Sequence, residues 1–192
     1  MPNFFKKSLS CAAIACFGLF SSWSAQAEVS KPQAVSQIEI DQYIGQWYEI
    51  AHLPMYFQRH CASNTKANYA LNPDQTLSVV NSCQTKTGET ISSQGVAYAQ
   101  NAGKSQLKVS FLPAGLRWIP FTKGDYWVLR VDPDYKVALV GGPSTKYLWI
   151  LSRSPQIDEA TYQSYLQTAR QYGYDVTKLV RTPHSNSLIQ GH

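Results

Sequence analysis

Beyond residue 20 the sequence has no long apolar run. Ser8 to Phe20 comes nearest, and a bilayer-spanning helix needs about 18 such residues. Residues 28–192 therefore read as soluble or peripheral. Charge is also sparse, at 15% of residues, and Lys and Arg never cluster. That removes the basic footprint of a nucleic-acid binder, so no nucleic-acid partner is expected. Cysteines number four, and only Cys61 and Cys83 lie beyond residue 27. His60 adjoins Cys61, but no CxxC or HxxxH spacing exists, so no metal site is expected. The G-x-S-x-G elbow, the P-loop and the dinucleotide fingerprint are missing too. No cofactor is implied, and no repeat of solenoid length appears.

What is present starts at the N-terminus. Lys6 and Lys7 precede the apolar run, and Ala25-Gln26-Ala27 has the A-x-A form of a signal-peptidase site. Residues 1–27 are read as a removed secretory signal. The rival reading is a lipoprotein lipidated at Cys16. Either way the product crosses the inner membrane and is periplasmic, with outer-membrane association left open. The formal charge of +5 includes Lys6 and Lys7, so residues 28–192 carry +3. This is compatible with a weak attraction to an anionic membrane face. In an oxidising compartment Cys61 and Cys83 are expected to pair. Such a bridge contributes roughly 3 kcal/mol in the chain-entropy model.

The body reads with period two. Leu77, Val79, Asn81 and Cys83 alternate with Ser78, Val80, Ser82 and Gln84, and Leu107, Val109 and Phe111 do the same against polar neighbours. Further strands are expected at 46–53, 65–72, 90–100, 125–132, 136–142 and 146–153, with turn signals such as Asn72-Pro73-Asp74 and Gly141-Gly142-Pro143 between them. Tyr162, Tyr165, Leu166, Ala169 and Tyr172 fall on one helical face instead. Asp158 can cap that helix and Gly173 can end it. A short strand near Leu179 is also expected. Residues 28–37 read as a loose extension, 38–182 as the domain, and 183–192 as a flexible tail. The pattern predicts an all-β, eight-stranded up-and-down antiparallel barrel with one C-terminal helix packed outside. An open sandwich is the competitor.

Three stretches then carry a resemblance. Gly45-x-Trp47 opens the first strand, Asp134-Tyr135 sits in the turn between strands six and seven, and Arg153 ends strand eight. Together they resemble the three signature regions of the lipocalins. "GQWYEIA", "ANYAL", "DYWVL" and "YLWILSRSP" look more closely like the subgroup of bacterial outer-membrane lipocalins and apolipoprotein D. The resemblance covers about residues 38–182. It implies that Trp47 and Arg153 pair at the closed end as structural residues, and that Gly45, Asp134 and Tyr135 are likewise structural. It also implies that Tyr69, Asn81 and Trp149 line a ligand pocket.

Parity adds candidates. If Trp47 points inward, so do Glu49 and Ala51. Glu49 would then be a carboxylate in an apolar barrel, needing a partner. It is read either as a structural hydrogen-bonding residue or as a polar handle for a ligand head group. Val109 and Phe111 belong to an inward face. Trp127 and Leu129 join them if Arg130 points out; an inward Arg130 would instead suit a fatty-acid carboxylate. The loop 112–121 carries Leu112, Leu116, Trp118, Ile119 and Phe121. It reads as a lid, a membrane-touching edge, a homodimer contact, or apolar residues buried over the mouth.

Ser63-Asn64-Thr65-Lys66 and Lys86-Thr87-Gly88 match two short motifs of penicillin-binding enzymes. The first leads into a strand pattern, where Ser and Lys stand about 10 Å apart, so the match is discounted. The expected function is non-enzymatic: binding, storage or transport of a small hydrophobic or amphipathic lipid, such as a fatty acid or lysophospholipid. The alternatives are a lipid-processing enzyme on the same barrel and a membrane or partner module using the 112–121 loop.

Overall fold

The structure, a computed structural model, describes residues 29–119 and 121–185. The signal segment, Cys16 and the last seven residues lie outside the described residues. Eight antiparallel strands follow one another around a ring: β1 (Gly45–His52), β2 (Ser63–Leu71), β3 (Leu77–Gln84), β4 (Thr90–Ala99), β5 (Gln106–Ser110), β6 (Gly124–Val131), β7 (Val137–Gly141) and β8 (Trp149–Ser152). Each pairs with its sequence neighbour, and β8 pairs back onto β1. The sandwich is thereby ruled out, because β1 has partners on both edges. The motif-like stretch from Ser63 to Lys66 lies at the start of β2, with Asn64 at φ +54 and a register shift against β3, and not at a helix start.

Alternation gives the wall two apolar faces. Trp47, Leu77, Val79, Ala97, Leu107, Val128 and Val140 pack inside. Leu129, Leu139 and Ile150 pack outside against Tyr162, Tyr165 and Leu166 of helix α2 (Glu159–Gln171). β7 serves both clusters and is buried throughout. Asp158 caps α2 by accepting a bond from Thr161 N at 2.8 Å. Gly173, at φ +78, ends it in the left-handed region. The Cys61–Cys83 bridge forms and ties the β1–β2 connection to the end of β3.

The N-terminal segment is not loose. Ser30 N donates to Gln171 O, and Val35 N donates to Val128 O at 2.8 Å. Val35 also packs on the interior cluster. The chain then makes one helical turn, α1 (Ile40–Tyr43), whose Ile40 and Tyr43 are buried at the closed end. At the other terminus the tail begins later than expected. A two-residue strand, β9 (Val180–Arg181), pairs with Ala51 and His52 of β1. Asn64 N donates to Pro183 O, and Ser185 N donates to Asn64 Oδ1. β1 pairs with β2 only from Gly45 to Tyr48. Beyond that point the two strands diverge, and residues 180–185 fill the gap.

The closed end is locked by Arg153. Its guanidinium carbon lies 3.9 Å from the centre of the Trp47 ring. The same group donates to Gln46 O at 2.8 Å, Gln42 O at 2.6 Å, Ile44 O at 2.9 Å and Tyr135 O at 3.3 Å. Gly45 stands at φ +91, and a Cβ there would approach Arg153 Nη1 to 3.4 Å. Glycine is therefore required for the backbone conformation, while the guanidinium above it sits at van der Waals distance.

Three register shifts break the period. One lies between Glu49 and Ala51 opposite β8, one between Ser63 and Lys66 opposite β3, and one between Val128 and Arg130 opposite β7. At the first, Ile50 is the extra residue, so Ala51 joins the outer cluster rather than the interior. Arg153→Lys keeps the charge but loses the planar fork. We expect it to cost about 2–4 kcal/mol in urea unfolding, nearly as much as Arg153→Ala, because each variant strands carbonyls at the closed end.

Candidate functional site

The interior narrows to an aromatic floor. Tyr43, Trp47 and Tyr69 are fully or nearly buried. Trp47 Nε1 donates to Tyr43 O at 2.8 Å. The Tyr126 hydroxyl bonds those of Tyr43 at 2.8 Å and Tyr69 at 3.0 Å. Burial raises all three phenol pKa values, that of Tyr69 to about 12. The hydroxyls therefore stay neutral at any physiological pH. Three hydroxyls share two bonds, which leaves one O–H donor unused among the described residues. Tyr69 is thus a floor residue.

Trp47 pairs with Ala67, Ala67 with Asn81, and Asn81 with Ser93, so all four face inward. Asn81 Oδ1 is buried and has no hydrogen-bond partner among the described residues. Val109 is half-buried on the interior cluster. Phe111, just past β5, is half-exposed, and its ring covers Gly95. It belongs to the rim rather than the enclosed interior.

Trp149 faces inward, packed on the interior cluster. Its Nε1 donates to Gln58 Oε1 at 3.1 Å, and its ring stacks on Tyr147 at 6.2 Å between centres. Trp127 does not face inward. It packs on the outer cluster with Leu129, while Tyr126 pairs with Leu107 and faces in. Arg130 also points out: it lies 4.1 Å from the Tyr165 ring centre and donates to Ser164 and Thr168 of α2. The parity argument from Arg130 assumed unbroken alternation. The bulge puts Leu129 and Arg130 on the same face, so an outward Arg130 says nothing for an inward Trp127.

Glu49 is 3% exposed and faces inward near the mouth. Gln58 Nε2 donates to its Oε2 at 2.7 Å, and Thr182 Oγ1 to its Oε1 at 2.6 Å. His52 Nδ1 lies 2.9 Å from Oε1, and His184 Nε2 donates to the Glu49 carbonyl at 2.8 Å. One carboxylate therefore gathers the end of β1, the 3-10 turn Tyr56–Gln58 and the C-terminal segment. Through Gln58 it also orients Trp149. Its partners are Gln58, Thr182 and His52 near the mouth rather than a Tyr or Arg low in the barrel. Gln58, Thr182 and His184 carried no sequence signal, because each meets Glu49 through loop geometry; His52, three residues on in β1, is turned to the same side by the bulge at Ile50. Beside them, where β1 and β2 diverge, lies a cleft of about 430 Å³ bordered by Met55, Arg59, Ala62 and Val180.

Burial acts to raise the Glu49 pKa, and the bonds from His52, Thr182 and Gln58 outweigh it, so the net shift is downward. A depressed carboxylate stabilises the fold above its unfolded pKa, and that contribution is lost as pH falls through the folded value. We expect the wild type to lose stability on acidification through that range, and Glu49→Gln to show a shallower loss. At neutral pH the variant should already be about 1–3 kcal/mol weaker in urea unfolding, since the amide sets a second donor against donors.

Residues 38–184 match the family described as a Lipocalin-like domain. Temperature-induced lipocalin-1 of Arabidopsis thaliana is 43% identical over 163 residues, covering 83% of this chain and 87% of that protein. The outer membrane lipoprotein Blc of Vibrio cholerae is 34% identical over 170 residues, covering 87% and 94%. The solved structure of insecticyanin from the tobacco hornworm Manduca sexta aligns with a TM-score of 0.63 at 20% identity, covering 83% of this chain and 89% of its own. That last likeness speaks for the fold. The family match spans the whole barrel, two relatives exceed 30% identity over most of their length, and the Trp47–Arg153 lock is in place: the chain belongs to the lipocalin family.

Proposed function

We propose that this lipocalin binds, stores and carries a single-chain lipid, a fatty acid or a lysophospholipid, in the bacterial envelope. Lipocalins as a family bind small hydrophobic ligands. The observation that carries the finer reading is the interior itself. It is apolar along Val109, Val128 and Val140, closed below by tyrosines, and holds a buried acceptor, Asn81 Oδ1, without a partner among the described residues. A hydrocarbon tail suits the wall. A hydroxyl or ammonium on the ligand suits Asn81, and a spare tyrosine O–H suits an ester or carboxyl oxygen.

The mechanism is burial. Each methylene removed from water gains about 0.8 kcal/mol, so ten give roughly 8 kcal/mol before the entropy of association is subtracted. That range suits a carrier, which must release its cargo. Trp149, held by Gln58, supplies a rigid aromatic wall near the mouth. Glu49 enters as the brace behind that wall, since both of its oxygens already accept protein bonds. The signal-like N-terminus and the likeness to an outer membrane lipoprotein support a periplasmic site of action, with outer-membrane association.

Native mass spectrometry with titration of a fatty acid and a lysophosphatidylcholine tests this directly. Saturable one-to-one binding is expected. Trp149→Ala should weaken it about tenfold, the effect of some 1.4 kcal/mol, with the circular dichroism spectrum retained. Trp127→Phe, on the outer face, should leave it unchanged. Failure of both lipids to bind at any accessible concentration would overturn the reading.

A further inference from the structure

The exposed aromatic residues are not scattered. Trp118 is 76% exposed, Phe57 62% and Tyr56 77%, while Phe121 is fully exposed; Phe111 and Leu116 stand half out. All six belong to the β1–β2 and β5–β6 connections, at the open end of the barrel. The 112–121 loop half-buries Leu112 and Ile119 but leaves Leu116, Trp118 and Phe121 uncovered. It presents them outward, braced from behind: Arg117 Nε donates to Leu112 O at 2.9 Å, and Trp118 Nε1 to Gly115 O at 2.9 Å.

Charge follows the same geography. The four connections at the open end carry Arg59, Lys86, Arg117, Lys123 and Lys146 against the one carboxylate of Glu89. None of these cations forms an ion pair among the described residues; Arg59, Lys123 and Lys146 lie instead over the rings of Tyr56, Tyr98 and Tyr147. The open end thus holds a net +4, while residues 28–192 as a whole hold +3. At the closed end the balance reverses. Glu39, Asp41, Asp74, Asp132 and Asp134 outnumber Lys104, Lys136 and Arg153. The barrel is polar along its own axis, with the aromatic rim at its positive end.

We propose that the open end is a docking surface for an anionic phospholipid bilayer, seated mouth-down, with Trp118, Phe121 and Phe57 entering the interface. Exposed aromatics at a loop tip favour the headgroup boundary. Unpaired Lys and Arg beside them favour anionic lipid, and the opposite charge of the far end orients the molecule. A second copy of the chain fits this surface less well, because two positive rims would face each other. The docking stands on the outside of the barrel and does not depend on what the interior holds. Where the carrier reading also holds, cargo passes between bilayer and barrel without crossing water.

The test is vesicle flotation and tryptophan emission with the secreted protein, using phosphatidylcholine vesicles with and without roughly one third phosphatidylglycerol. Binding to the anionic vesicles is expected, with a blue shift, and with loss of most of it at about 0.5 M salt. The Trp118→Ser, Phe121→Ser double variant should bind about tenfold more weakly, and Arg117→Gln with Lys146→Gln should flatten the salt dependence. Wild type and variants share one N-terminus, so any lipid anchor there acts equally on all. Lys104→Gln with Lys136→Gln, at the closed end, is the control and should leave binding unchanged. Equal binding of wild type and the Trp118, Phe121 variant would overturn the proposal. So would equal affinity for neutral and anionic vesicles. Self-association that those substitutions abolish, in a protein that ignores vesicles, would overturn it in favour of a dimer face. Lipid titration of the double variant separates this from the carrier reading, which predicts unchanged affinity in solution.

Discussion

The barrel depends on one cation that serves four backbone carbonyls. A ring of strands must close, and here the closing strands, β1 and β8, meet where α1 and the β6–β7 turn also arrive. Each of those segments ends with carbonyls aimed at the same place. Arg153 answers them with a planar set of donors and lies flat over Trp47. A guanidinium can do both at once because its charge is delocalised and its donors are coplanar. The tyrosine floor, the inward parity of β1 and β2, and the one-ended shape of the interior all follow from that fixed point.

A second charge organises the opposite end. Glu49 costs free energy to bury, and the structure offsets this with a His, a Thr and a Gln from three separate segments. Between the two ends lie mainly apolar side chains and one unsatisfied amide oxygen. A carrier needs that division: rigid closure below, a braced but less continuous wall above, and little polar competition for the ligand between them.

Much of this was legible from residue order. Period-two alternation marked seven strands within two residues and set the start of β8 three residues early, the helix face was read correctly, and the disulfide followed from two cysteines in a chain expected to be secreted. The misses share a cause. A bulge adds one residue without needing Gly or Pro, and neither Glu49-Ile50-Ala51 nor Val128-Leu129-Arg130 announces one. Parity carried across those points failed for Ala51 and Trp127 and held for Glu49, which lies before the first bulge. The partners of Glu49 were invisible for a different reason. Thr182 is 133 positions away and His184 135, and a polar residue in a loop gives no local sign of which distant carboxylate it will meet. The exposure of Trp118 and Phe121 was likewise undecidable, since an apolar loop folds inward or outward by its anchoring bonds.

The divided edge of β1 has a kinetic meaning. Its lower half zips to β2 across a short connection, and the Cys61–Cys83 loop can close early because its ends lie near in sequence. Its upper half waits for β9, whose residues are made more than a hundred positions later. Contacts that distant form late and raise the entropic barrier to folding. Two ladder pairs hold that seam, together with bonds from Thr182 N to Ile50 O and Asn64 N to Pro183 O and those that Thr182 and His184 make to Glu49. The joint completed last in folding is therefore held as much by side chains as by the ladder, which ties the closing of the wall to the burial of one carboxylate.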